Sequence, residues 1–237
     1  MRCVNEVDFT NHPEVSAILR RPPSAENMLE AALLVRKLEN SAFIKLPAIF
    51  AWDAAAYPIS LDCLELAADY PVIFTVEGLM GRLMREQEMS GIARNLIKNP
   101  QMILDNLSEL VEEIGSYAAK VCRMGVKLVS YADPSANVEL WGERSYKKVI
   151  APSETKLLRL FESNQSGILV HVCPLLSASL EQFSFISARA VPAEGAGFVN
   201  SLEVLAKKHR AKLSGHQCIN ASEAENGLVY QLQPSIL

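Results

Sequence analysis

Apolar runs of strand length alternate with stretches of helical periodicity along most of this 237-residue chain. That alternation restricts the fold more than any other feature. Ser24 is placed to N-cap a helix through "AENMLEAALLVRKLEN", with Glu26 and Glu30 in its early turns. The run "KLPAIFAW" reads as a strand, residues 60–69 as a short helix, and "YPVIFTVEG" as a strand ending at Glu77 and Gly78. A helical stretch, "LMGRLMREQEMSGIARNLIKN", follows with an interruption predicted near Gly91. Pro100 opens a long helix, "QMILDNLSELVEEIGSYAAKVCRMG", that Gly125 closes from the C′ position. "VKLVSYADP" is the third strand, "ERSYKKVIAP" and "SETKLLRLFES" are helical, and "GILVHVC" is the fourth strand. "EQFSFISARAV" holds a fifth strand, "SLEVLAKKH" a helix, "AKLSGHQC" a sixth strand and "GLVYQL" a seventh. Strands and helices joined by short connections build a mostly parallel sheet with helices outside it. The expected class is therefore α/β, a TIM (β/α) barrel, whole or lacking its N-terminal strands, formed as one domain over residues 1–237. A complete barrel takes about 250 residues.

Composition narrows the function classes. With 49% hydrophobic residues, 21% charged residues and a net charge of −4, the chain can bury a large core. That mild acidity gives no electrostatic footprint for nucleic acid or an anionic membrane. No apolar run approaches the roughly 20 residues of a membrane span. The opening "MRCVNEVDFTNH" is too charged for a secretory signal. Cys3, Cys63, Cys122, Cys173 and Cys218 are odd in number and scattered. Reduced thiols in a cytoplasm are expected, some of them open to metal binding or catalysis.

In barrels of this kind, functional groups gather at the carboxyl ends of the strands. Four predicted strand ends carry conspicuous polar groups: Glu77, Asp133, the pair His171 and Cys173, and the pair His216 and Cys218. Side chains alternate along a strand, so His171 and Cys173 are expected to face the same way and to grip one ion together. With Cys218 they offer one nitrogen and two sulfurs, a set that suits Zn²⁺ with a fourth position left open. His216 is an alternative to Cys218, either as a ligand or as a hydrogen-bonding neighbour. Packing is the competing account of the pair, because cysteine is common in cores and a lone histidine often sits satisfied there. Cys63 and Cys122 fall within helical patterns and read as core. Cys3 has no evident role, and His12 and His209 read as surface residues. Asp133 is either a residue that orients a ligand or a turn former before Pro134. Glu77 is either a neighbour of the metal or a solvated loop carboxylate. Tyr131 either lines the pocket or packs in the core. The charged run "ERSYKK" reads as a solvated helix face.

Three stretches, "YPVIFTVEGLMGRLM", "LIKNPQMILDNLSELVEEIGSYAAKVCRMGVKLVSYADPSANVELWGERSYKKVIAP" and "GILVHVCP", resemble the uroporphyrinogen decarboxylase superfamily. The resemblance runs from about Leu46 to "GHQCIN" and lies nearer the methylcobamide:coenzyme M methyltransferase branch than the decarboxylases. It implies a TIM barrel, an H-x-C pair after a barrel strand (here His171 and Cys173) and a distant third cysteine, here Cys218. It implies zinc, on which a thiol acceptor such as coenzyme M is activated to take a methyl group from a corrinoid. That corrinoid would ride on a separate partner protein, since no D-x-H-x-x-G motif occurs here. Asp133 and Glu77 are the candidate supporting residues, and a homodimer is one way to cover sheet edges. The chain departs from the family in its shorter N-terminal part and in Pro174, which stands where glycine usually follows H-x-C. The spacing from Cys173 to Cys218 is shorter, and the arginine-rich "RQAGR"-type segment of the decarboxylases is missing. The expected function is a zinc-dependent methyltransferase. The alternatives are a non-catalytic or corrinoid-protein-binding relative and, third, a decarboxylase-type lyase.

Overall fold

The computed structural model describes residue 18 and residues 24–38, 44–46, 72–123, 126, 128–163 and 168–235. The predicted helix over 60–69, the cap at Gly125, most of "KLPAIFAW", Cys3, Cys63 and His12 lie outside the described residues, as does the side chain of Cys122.

In chain order the elements are α1 (Ala25–Leu38), β1 (Ile44–Leu46), β2 (Val72–Glu77), α2 (Leu79–Glu86), α3 (Met89–Lys98) and α4 (Pro100–Arg123). Then come β3 (Leu128–Ala132), the short helices α5 (Val138–Trp141) and α6 (Glu143–Ser145), a π-helical turn (Tyr146–Ile150) and α7 (Ala151–Ser163). The chain continues through β4 (Leu169–Val172), α8 (Pro174–Gln182), β5 (Ile186–Pro192), α9 (Phe198–His209), β6 (Leu213–Gly215) and β7 (Leu228–Pro234). Proline at the first position of α4 supplies helical φ where no backbone donor is needed. Ile103, Leu107, Leu110, Val111, Ile114, Ala118 and Val121 recur at three- and four-residue steps along α4, and all are buried. The break predicted near Gly91 falls earlier, at the extended Gln87, and Gly91 lies inside α3.

Five strands, β1-β2-β3-β4-β6, run parallel, so the mixed α/β class holds. The barrel does not close among the described residues. The order is β1-β2-β3-β4-β6-β7-β5, with β7 antiparallel to both β6 and β5. Two causes are visible. A sharp turn through Ser184, in the left-handed region at φ 61°, carries β5 away from β4 and into a seven-residue pairing with β7. On the other side, α9 lays Phe198, Leu202 and Leu205 against the sheet face that a barrel would enclose. The longer helices α1, α2, α3, α4, α7 and α8 contribute to a larger core on the opposite face, with Phe74, Val76, Val129, Tyr131, Val170 and Val172 from the strands.

Gly78, between β2 and α2, is the tightest point of this framework. A Cβ there would lie 2.2 Å from the Asp133 Cβ, whereas one at Gly91 would meet nothing within 4 Å. Gly78→Ala is expected to lower stability in urea denaturation by about 2–3 kcal/mol through overpacking. Gly91→Ala, in an open helical position, is expected to raise it by about 0.5–1 kcal/mol.

Candidate functional site

The carboxyl ends of β3, β4 and β6 adjoin one another, and most of the sequence-predicted site residues lie there. His171 is completely buried in β4, its ring edge-on to Phe198 of α9. Its Nε2 lies 2.8 Å from the Gln217 carbonyl. A carbonyl only accepts, so Nε2 carries the proton and donates it. Nδ1 is thereby left as a lone-pair nitrogen, and it has no hydrogen-bond partner among the described residues. Burial pushes the His171 pKa down to about 4, so the ring is neutral near pH 7. The same hydrogen bond brings the segment that carries Cys218 beside β4.

Cys173 differs from the same-face expectation. It is the residue after β4, with φ −48° and ψ 134°, and it precedes a helix opened by Pro174. Strand alternation therefore ends at Val172. Cys173 packs in the larger core with Val172, while His171 meets Phe198 of the smaller one. Its backbone N–H donates to the Tyr131 carbonyl at 3.0 Å. Cys218 is half-buried in the loop after β6.

His216, the first residue of that loop, takes a left-handed φ of 67°. Its backbone N–H donates to Ser177 Oγ at 2.9 Å, and its Nε2 lies 3.3 Å from Glu181 Oε2. Both partners belong to α8, so α8 clasps the turn that presents the Gln217 carbonyl to His171.

Asp133 is buried at the end of β3, and its role is to hold chain segments together. Its carboxylate accepts from the amides of Met80 (2.7 Å), Gly81 (3.2 Å) and Ala136 (3.1 Å). It thus caps α2 from a neighbouring strand, which is why Gly78 must lack a side chain. Glu154 of α7, which no sequence signal singled out, completes the cluster. Tyr131 Oη donates to Glu154 Oε2 at 2.8 Å and accepts from the Leu79 amide at 3.1 Å. Burial raises the Asp133 pKa to about 7 against the pull of its three amide donors. Burial, and next the Asp133 charge, raise that of Glu154 well above the usual carboxyl range. Glu154 is thus the member that keeps its proton when Asp133 loses its own. Glu77 lies at the end of β2, where its Oε2 pairs with Arg85 Nη1 at 3.0 Å near the surface.

One imidazole and two thiols are donors that zinc takes. His171 fits such a role, with one nitrogen fixed by a carbonyl and the other open. The full set does not fit as placed: no group of three His, Cys, Asp or Glu residues among those described is arranged to hold a metal ion.

Comparison with known proteins agrees at the level of fold. The chain is similar to a solved methyltransferase from Methanosarcina mazei, with a TM-score of 0.53 and 15% identity over 68% of this chain. It spans 58% of that protein's length. No known family profile and no curated protein matches the sequence.

The buried acids set a pH dependence. Asp133 and Glu154 retain protons in the folded chain that the unfolded chain releases, so their contribution is full below the ordinary carboxyl pKa and falls as pH rises above it, that of Asp133 being lost through about 7. Stability from urea denaturation is expected to fall between about pH 4 and 8, by up to about 1.4 kcal/mol per pH unit for each proton released, and the urea midpoint with it. Glu154→Gln, which keeps a neutral hydrogen-bonding group, should flatten that slope. A midpoint that rises across the same range would contradict the assignment.

Proposed function

We propose that the chain is a methyltransferase that takes a methyl group from a methylated corrinoid, carried on a separate protein, and passes it to a thiol or related acceptor. His171, Cys173 and Cys218 are the proposed zinc ligands. The observation that carries this reading is the His171 ring, buried, neutral and held by the Gln217 carbonyl with Nδ1 open. A metal-binding imidazole is held in this way. The fold similarity to a methyltransferase and the resemblance around "GILVHVCP" support it. Metal binding and local folding are coupled, so zinc itself would have to draw Cys173 and Cys218 toward His171. In this reading Asp133 positions the loop between β2 and α2 beside the site, and Glu77 steadies the same loop through Arg85. The proposed setting is the cytoplasm.

A second reading is favoured by the packing of Cys173 away from His171: a relative that binds the corrinoid protein without turning over. Metal analysis separates the two. The first reading expects close to one zinc per chain, lost in His171→Ala, Cys173→Ser and Cys218→Ser, and thiol-dependent demethylation of methylcobalamin at 25 °C. Protein that folds, binds no zinc and leaves methylcobalamin unchanged supports the second. Porphyrin decarboxylation is expected to be undetectable.

A further inference from the structure

The charged run "ERSYKK", Glu143 to Lys148, faces solvent as its composition predicts, but the backbone beneath it is not a regular α-helix. Tyr146–Ile150 is a π-helical turn, in which the Ala151 amide donates to the Tyr146 carbonyl five residues back. The extra residue in this wide turn lets Tyr146, Val149 and Ile150 all face the larger core. Lys147 and Lys148 are left next to each other on the outside.

The charged side chains surround a hollow. Glu143, Arg144, Lys147 and Lys148 line a surface cavity of about 460 Å³, a size typical of small-molecule sites. Lys147 is held in place from two sides. Its Nζ lies 3.3 Å from Glu143 Oε1 and 5.3 Å from the centre of the Phe183 ring. Phe183, just after α8, packs in turn on the buried Tyr146, their ring centres 6.0 Å apart. Arg144 and Lys148 stand one turn apart on the same flank and make no ion pair among the described residues. Like charges at that spacing repel. Three cations therefore face one carboxylate around the hollow, in a chain whose net charge is −4. A concentration of positive charge on an acidic molecule, built over a buried aromatic pair, is suited to an anion.

We propose that this cavity binds a small phosphomonoester whose organic part carries a hydroxyl group. The planar fork of Arg144 takes two phosphate oxygens, and Lys148 and Lys147 add point charges around the same group. Glu143 explains why the ligand is more than phosphate. A carboxylate only accepts hydrogen bonds, so it repels a bare phosphate dianion and accepts from a neighbouring hydroxyl. The site belongs to the helices outside the sheet and goes beyond the methyltransferase reading. Its binding requires neither zinc nor corrinoid.

Calorimetry on the full chain at low salt and about pH 8, where both phosphates are dianions, compares glycerol 3-phosphate, inorganic phosphate and glycerol. Glycerol 3-phosphate is expected to bind with a Kd of about 1 mM or tighter, inorganic phosphate about tenfold more weakly, and glycerol not measurably. Arg144→Gln and Lys148→Gln should each weaken glycerol 3-phosphate about tenfold. Both side chains are exposed, so the urea midpoint should stay unchanged and show that the variants fold. Glu143→Gln should erase the preference over inorganic phosphate. Lys207→Gln with Lys208→Gln, on α9, should alter nothing. Amide NMR locates the contact: the signals of residues 143–148 should shift on titration. Absence of binding, equal affinity for the two phosphates, an equal loss in the α9 variant, or binding that leaves those amides in place overturns the site. Binding to phosphatidate vesicles without binding to glycerol 3-phosphate also overturns it, and assigns the patch to a membrane surface instead.

Discussion

The buried carboxylate of Asp133 is the point on which the arrangement of the sheet's carboxyl end depends. It lies at the end of β3 and accepts amide hydrogens from the start of α2 and from its own following turn. Beside it, Tyr131 ties α7 to β3 through Glu154 and ties β3 to the first turn of α2 through the Leu79 amide. A carboxylate in an apolar interior is tolerable only when donors surround it. Here three amides do so, and when Asp133 ionises, Glu154 keeps its proton, so a second charge does not form beside the first. Gly78 shows how tightly the cluster is packed: the backbone passes so close to Asp133 that no side chain fits there.

The two faces of the sheet have separate tasks. On the larger face, apolar strand residues meet the outer helices, and the Asp133 cluster ties their ends together. On the other, α9 covers an apolar layer next to a polar row, Ser130, His171 and Ser214, that pairs across β3, β4 and β6. Cys173 stands where the chain leaves β4 for α8, and it turns to the first face. The His171 ring is instead governed by the loop after β6, which α8 holds through Ser177 and Glu181. Any ligand at His171 is therefore coupled to that loop more directly than to Cys173.

Much of the fold was legible in the sequence. The residues assigned to β2, β3, β4, β5, β6 and β7 follow the apolar runs, and α4 follows its helical spacing. The connection order was not legible: the same run that reads as a fifth strand can pair beside β4 or at the far edge, and the turn at Ser184 decides between them. Among the site residues, His171 stood out by type and position. Ser130 and Ser214 did not, because a serine in a strand carries meaning only when its neighbours across the sheet are known. Glu154 was hidden in the same way, since a glutamate in a helix reads as a surface residue until the packing of α7 buries it.

The sequence by itself determined the α/β class, the parallel strands and the presence of soft ligand side chains at their ends, because periodicity and residue type are local properties. Only the tertiary structure decided that the sheet stays open among the described residues, that Cys173 and His171 part company, and that a polar row crosses the strands. Those depend on register, on a left-handed turn and on which face a helix covers. Each is a relation between residues distant in the chain, and local pattern does not specify it.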